Sequence, residues 1–136
     1  MDAAQALADL TEISSQIEAA VLFDEAGAIA ASTLPDDERS QSLARAGADL
    51  IAAAAGLPSG EGALTQLEAA TLEGSVFVVR EGTRRILATT GPNPTVGLVF
   101  YDLKSCLRGL GKDVPEKPKR APRRRTTTAE EPDDAA

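Results

Sequence analysis

The stretch NPTVGLVFYDLKSCLRGLG, residues 93–111, constrains the fold more than any other part of the chain, because its first half resembles a buried strand and its second half a helix. The two readings differ by a whole strand. Strand side chains alternate between faces, and Val96, Leu98, Val99, Phe100 and Leu103 do not; on a helix, Val96, Val99, Phe100, Leu103, Leu107 and Leu110 share one face. The spacing predicts a single helix, α3, whose buried face overrides the low helix preference of its β-branched start. Asn93 and Pro94 offer an N-cap and a first helical residue, Thr95 is the competing cap, and Gly109 or Gly111 offers a stop.

Upstream of this helix the apolar pattern divides the chain. In DAAQALADLTEIS, residues 2–14, Ala3, Leu7, Leu10 and either Ile13 or Ser14 follow helical spacing, which predicts α1. EAAVLFDEAGAIAAST, residues 18–33, reads as a hairpin, β1 to β2, turning at DEAG with Gly27 in a left-handed position. Residues 36–55 read as a long helix, α2, entered through Pro35 and the acids Asp36, Asp37 and Glu38, with Leu43, Gly47, Leu50, Ile51 and Ala54 as its apolar stripe. Three short runs in residues 65–91, broken at Glu73-Gly74 and Glu81-Gly82-Thr83, read as an antiparallel meander, β3 to β5.

Composition then removes most chemistry. The 136 residues contain no histidine and one cysteine, Cys106, so a His-based triad, the common zinc sites and an internal disulfide are all excluded. Cys106, with no histidine to activate it, reads as a small core residue. Aromatic residues make up 3% of the chain, too few for a base-stacking platform. GLPSGEG, residues 56–62, lacks the Lys-Ser or Lys-Thr of a phosphate loop and reads as a connection between α2 and β3. Asp36, Asp37 and Glu38 read as helix caps and dipole partners, not as a metal site. No catalytic, cofactor or metal residues are assigned. The N-terminus is acidic where a signal peptide would be basic, and no run is long enough to span a bilayer, so a soluble, cytoplasmic protein is expected.

The net charge of −7 conceals a division of the chain. Residues 1–111 carry seven bases against fifteen acids, residues 112–125 seven bases against two acids, and residues 126–136 four acids and no base. With four prolines and few large apolar residues, 112–136 is expected to be a disordered tail behind a domain at 1–111. Its basic segment, 117–125, reads as a solubilising stretch folding back on the acidic body or on its own acidic end; nucleic acid or an anionic surface is the alternative contact.

The expected order, α1-β1-β2-α2-β3-β4-β5-α3, is an α+β fold with a five-stranded antiparallel sheet. Together with the VLFDEAGAIAAS hairpin, the small-residue helix LARAGADLIAAAA, the meander EGSVFVVREGTRRILATT and the helix start PNPTVGLVFYDLK, it resembles the Roadblock, dynein light chain superfamily, in its bacterial MglB-like GTPase-regulator type. The resemblance covers about residues 5–110. Asp24 and Gly27 match the family hairpin with one extra residue between them, and Val96 stands before Gly97 where the family usually has leucine.

The resemblance implies a profilin-like plan and a homodimer in which two α2 helices pack antiparallel and two β3 edges pair into one ten-stranded sheet. It assigns the interface to Leu43, Ala44, Gly47, Ala48, Ile51, Ala54 and Ala55 of α2 and to Leu67, Ala69 and Thr71 of β3. Independent physical reasons agree with it: β3 is an edge with little charge to protect it, and α2 carries small residues that permit close approach and more apolar surface than one sheet face covers. A bulky residue at Gly47 is expected to break such a dimer. The resemblance further implies a small Ras-like GTPase as partner, with Arg39, Arg45, Asp49 and Ala52 as contacts and no enzyme chemistry of the chain's own. Promotion of GTP hydrolysis is the leading reading, a passive scaffold the alternative, and a small-ligand sensor the third.

Overall fold

In the computed structural model, which describes residues 2–56 and 64–111, the elements run α1 (Ala3–Ile13), β1 (Ile17–Asp24), β2 (Ile29–Ser32), α2 (Asp37–Ala55), β3 (Gln66–Ala70), β4 (Ser75–Glu81), β5 (Arg84–Thr90) and α3 (Val96–Gly111). The five strands form one antiparallel sheet in the order β2-β1-β5-β4-β3. The expected order and the five-stranded sheet are those observed. The 112–136 tail and the body of the GLPSGEG segment lie outside the described residues.

Local chemistry explains the boundaries. Asp2 caps α1 by accepting the Gln5 N–H at 2.8 Å, and Asp36 caps α2 by accepting the Glu38 N–H at 2.9 Å. The β1–β2 turn closes on Asp24, whose carboxylate accepts from the Ala26 and Ala28 N–H groups while Gly27 takes φ 88°, where a β-carbon would be strained. At the C-terminus of α1 the structure chooses between the two candidates: Ser14 is buried, and Ile13 is 72% exposed.

Residues 96–111 are helical throughout, but the helix starts two residues later than an Asn93 cap would place it. Asn93 adopts a left-handed φ of 59°, which breaks the approach, and Thr95 takes the capping position: its carbonyl accepts from Val99 N–H at 3.0 Å, and its N–H donates to Gln16 at 2.7 Å. Val99, Leu103, Leu107 and Leu110 are buried as expected, and Phe100 meets Phe77 edge to face at 5.0 Å between ring centroids. Val96, as the first residue, stays 36% exposed.

The sheet's two faces are covered unequally. α1 and α3 lie on one face and bury a cluster of fourteen residues, among them Leu7, Leu10, Leu22, Phe77, Ile86 and Leu103. α2 lies alone over β1, β2 and β5 on the other, where the buried cluster is Val21, Phe23, Ala44, Val78 and Leu87. At about 1.5–3 kcal/mol for each fully buried large apolar side chain, most of the hydrophobic stabilisation resides on the α1/α3 face.

Gly47 seats α2 on its face. A β-carbon there would stand 3.0 Å from Cζ of Phe23 and 3.1 Å from Cδ1 of Leu87, so the helix approaches the sheet as closely as glycine allows. Gly47→Val should therefore lower the unfolding free energy by about 1–3 kcal/mol, through overpacking within one chain. Denaturant unfolding checks this, and wild-type stability in the variant would show that the helix is seated otherwise.

Candidate functional site

The second cluster is incomplete on its β3 side. Around its five buried residues, Leu43, Leu50 and Ile51 of α2, Leu67 of β3 and Val76 of β4 are packed against it but only partly covered, as are Ile29 of β2 and Ala48 of α2 on the β2 side. Register explains the grouping. Leu67 pairs with Val78 and Ala69 with Val76, so all four side chains point to the α2 face.

At 100° per residue, α2 divides into distinct sides. Ser40, Ala44 and Gly47 form the buried stripe against the sheet. Leu43, Leu50 and Ala54 fall on one flank of that stripe, and Ala48, Arg45 and Gln41 on the other, where with Glu25 and Ile29 they line an open cleft of about 470 Å³ beside the β1–β2 turn. Since β2 and β3 are opposite edges of the sheet, the Leu43–Leu50 flank faces the uncovered β4–β3 strip.

This geometry sorts the expected interface residues. Leu43, Ala54, Leu67 and Ala69 gather along the open strip, Ile51 continues the line of the buried stripe but is only partly covered, and Ala55 lies exposed at the end of α2. Four positions are used otherwise within the chain. Ala44, 1% exposed, and Gly47 are spent on packing α2 against its own sheet, so a bulky residue at Gly47 acts first on the fold. Ala48 lies on the opposite flank, about 140° around the helix from Leu43. Thr71 lies beyond β3 and serves the turn: its hydroxyl donates to the Gly74 carbonyl and accepts from the Glu73 and Gly74 N–H groups. Leu50 and Val76 belong to the strip but were not expected there. The signal for Leu50 was its seven-residue spacing from Leu43, which brings a helix back to nearly the same side after two turns.

The edge of β3 is open to pairing. Thr65 accepts from Arg80 N–H at 2.8 Å, and Thr71 N–H donates to Gly74 at 2.8 Å. Because antiparallel residues alternate between bonded and non-bonded pairs, Leu67 and Ala69 bond to β4. Gln66, Glu68 and Ala70 then turn their backbone N–H and C=O groups outward. Glu68 is the one charged side chain in this five-residue edge, which contains no proline.

The four expected partner contacts are all exposed but do not share one side. Arg45, Asp49 and Ala52 lie within about 60° of each other, and Arg39 about 80–140° away, toward the Leu50 flank.

No protein-family profile matches the chain, and no curated protein matches it in sequence. Solved structures match it in fold. A Roadblock/LC7 domain from Streptomyces avermitilis is similar with a TM-score of 0.73 and 16% identity, over 82% of this chain and 97% of that one. The gliding protein MglB from Thermus thermophilus gives 0.68 and 18%, over 81% and 86%. Myxococcus xanthus MglB gives 0.63 and 20%, over 81% and 89%. The fold implied by the sequence resemblance is thus the fold found.

Cys106 is half-buried between α3 and α1, with its thiol 3.7 Å from the Ala6 carbonyl. Burial, and secondarily the charge of Asp9, push its pKa up from 9.0 to about 11. The folded state therefore favours the neutral thiol: its contribution to stability is full below the unfolded pKa and is lost as pH rises toward 11. Alkylation by iodoacetamide at pH 8 should run about a hundredfold slower than for a free thiol, and should accelerate steeply as pH approaches 11. A rate near that of free cysteine at pH 8 would contradict the burial.

Proposed function

With the Roadblock/LC7 fold as premise, we propose that the chain acts as a homodimer that binds a small Ras-like GTPase and promotes its GTP hydrolysis, performing no chemistry of its own. The observation that carries the reading is the unfinished second core. Leu43, Leu50, Leu67 and Val76 form an apolar strip bordered by an open strand edge, which suits a two-fold copy of itself. One solved MglB similar in fold, at 20% identity and a TM-score of 0.65, is described in a tetrameric arrangement, so assembly occurs on this fold.

In such a dimer the second α2 lies against the Leu43–Leu50 flank, and the outward backbone of Gln66, Glu68 and Ala70 bonds to its copy. A two-fold axis at Glu68 would set two carboxylates directly opposite, a destabilising pair. An axis at Leu67 instead places Gln66 opposite Glu68 and leaves leucine against leucine on the α2 face. The exposed side with Arg45, Asp49 and Ala52 remains outside this contact, available to the GTPase. Binding there holds the GTPase's own groups in a hydrolysis-competent arrangement, with Arg45 as a contact and not as an inserted catalytic group.

Light scattering at micromolar concentration should give twice the chain mass. Leu50→Glu should shift it to the monomer while leaving the circular-dichroism spectrum unchanged, because Leu50 is only half-covered within one chain. A monomeric wild type would refute the dimer.

With a Ras-like GTPase identified by co-purification with the chain, phosphate release should rise when the chain is added, and Arg45→Ala should cut the stimulation several-fold without changing the mass of the dimer. A stable complex with unchanged turnover would leave the passive scaffold as the function.

A further inference from the structure

We propose that the groove between α1 and α3, on the sheet face away from α2, is the docking site for the chain's own basic segment, residues 117–125. The groove has a volume of about 240 Å³ and is lined by Leu10 and Ile13 from α1 and by Tyr101 and Cys106 from α3, with one carboxylate from each helix, Asp9 and Asp102. It does not depend on the dimer or on the GTPase reading.

Several features mark it as a surface with a missing occupant. Ile13, Leu98 and Tyr101, 72%, 50% and 66% exposed, stand beside or in it, and with Val96 they make up four of the five large apolar side chains exposed among the described residues. Asp102 lines the groove while only 7% exposed, and among the described residues its carboxylate has neither a hydrogen bond nor an ion pair. Its oxygens are not among the fully enclosed polar atoms, so they open onto the groove, where a cation can reach them. Asp9 accepts only from the neutral Gln5 amide, and α1 contains no lysine or arginine. The walls supply no positive charge, yet the groove holds two negative ones.

The chain itself supplies the complement. α3 ends at Gly111, two residues beyond Gly109 of the groove wall, and 25 residues follow. Asp102 lies nine residues back along the helix, about 14 Å at 1.5 Å per residue. Residues 112–117, extended, reach about 20 Å. Lys117 is thus the first cation of the segment able to turn back to Asp102, and Lys119, Arg120, Arg123, Arg124 and Arg125 follow it. Lysine and arginine also suit the lining: their stems cover apolar surface such as Ile13, and a guanidinium stacks on an exposed ring such as Tyr101. The prolines at 115, 118 and 122 are ill suited to a helix, and an extended segment is the form a narrow interhelical groove accepts.

The test uses the full chain carrying Cys106→Ala and Ala121→Cys, with a nitroxide on the new thiol. In amide spectra, the signals of Ile13, Leu98, Tyr101 and Ser105 should fall below half their diamagnetic intensity, while those of Gln41, Arg45 and Asp49 on α2 keep theirs. Adding Asp9→Asn and Asp102→Asn, or 0.5 M NaCl, should restore them. Even broadening over the surface, broadening centred on α2, or no response to the two substitutions would overturn the proposal. Broadening of an isotope-labelled chain mixed with a nitroxide-labelled one would overturn it too, by assigning the groove to the tail of another copy.

Discussion

A single sheet layer whose strands are apolar on both faces needs two covers, and this chain supplies them in unequal measure. β1, β4 and β5 alternate Leu22, Phe77, Val79 and Ile86 on one side with Val21, Phe23, Val78 and Leu87 on the other. Two helices close the first side. The second has only α2, drawn tight over Phe23 and Leu87 by the missing side chain of Gly47. A helix about 10 Å wide covers two to three strands spaced 4.7–4.9 Å apart, so it cannot also cover β4 and β3. The uncovered strip is a consequence of counting helices, and the proposed interaction surface follows from it.

The same constraint separates what was legible in the sequence from what was not. Element order, the helical character of residues 96–111, the acidic cap of α2 and the β1–β2 turn could be read because each rests on local periodicity or on a side chain bonding to nearby backbone. The flank of α2 that faces outward could not. Ala44, Gly47 and Ala48 look alike in sequence as small residues suited to close approach, and the distinction depends on where the helix axis crosses the sheet. Once α2 lies over β1 and β5, Ala44 and Gly47 are inside, Ala48 turns toward the hairpin, and Leu50 turns toward the open strip. Thr71 was misplaced for a different reason: its spacing fits β3, but its hydroxyl bonds locally and ends the strand.

The α1/α3 groove escaped the sequence reading because helical periodicity identifies the buried stripe and is silent about its borders. Leu98 and Tyr101 fall off the Val99–Leu103–Leu107 face and look like ordinary exposed apolar residues. Only the packing of α1 beside α3 brings Ile13 next to them and traps Asp102 at the seam. Ile13 lies there because Ser14, not Ile13, turns inward at the end of α1.

Charge distribution gives the two surfaces different characters. The α2/β3 strip is apolar and borders unpaired backbone, features that select a copy with the same pattern, since register and side-chain alternation must match along a strand edge. The α1/α3 groove combines apolar walls with two carboxylates, features that select a cationic, extended segment and reject an acidic surface. An acidic body would repel a second acidic body at that groove, whereas at the strand edge one glutamate can be avoided by a shift of the axis. The proposed self-association thus falls on the α2 side and the proposed docking of the basic segment on the other, an arrangement that leaves the exposed side of α2 clear.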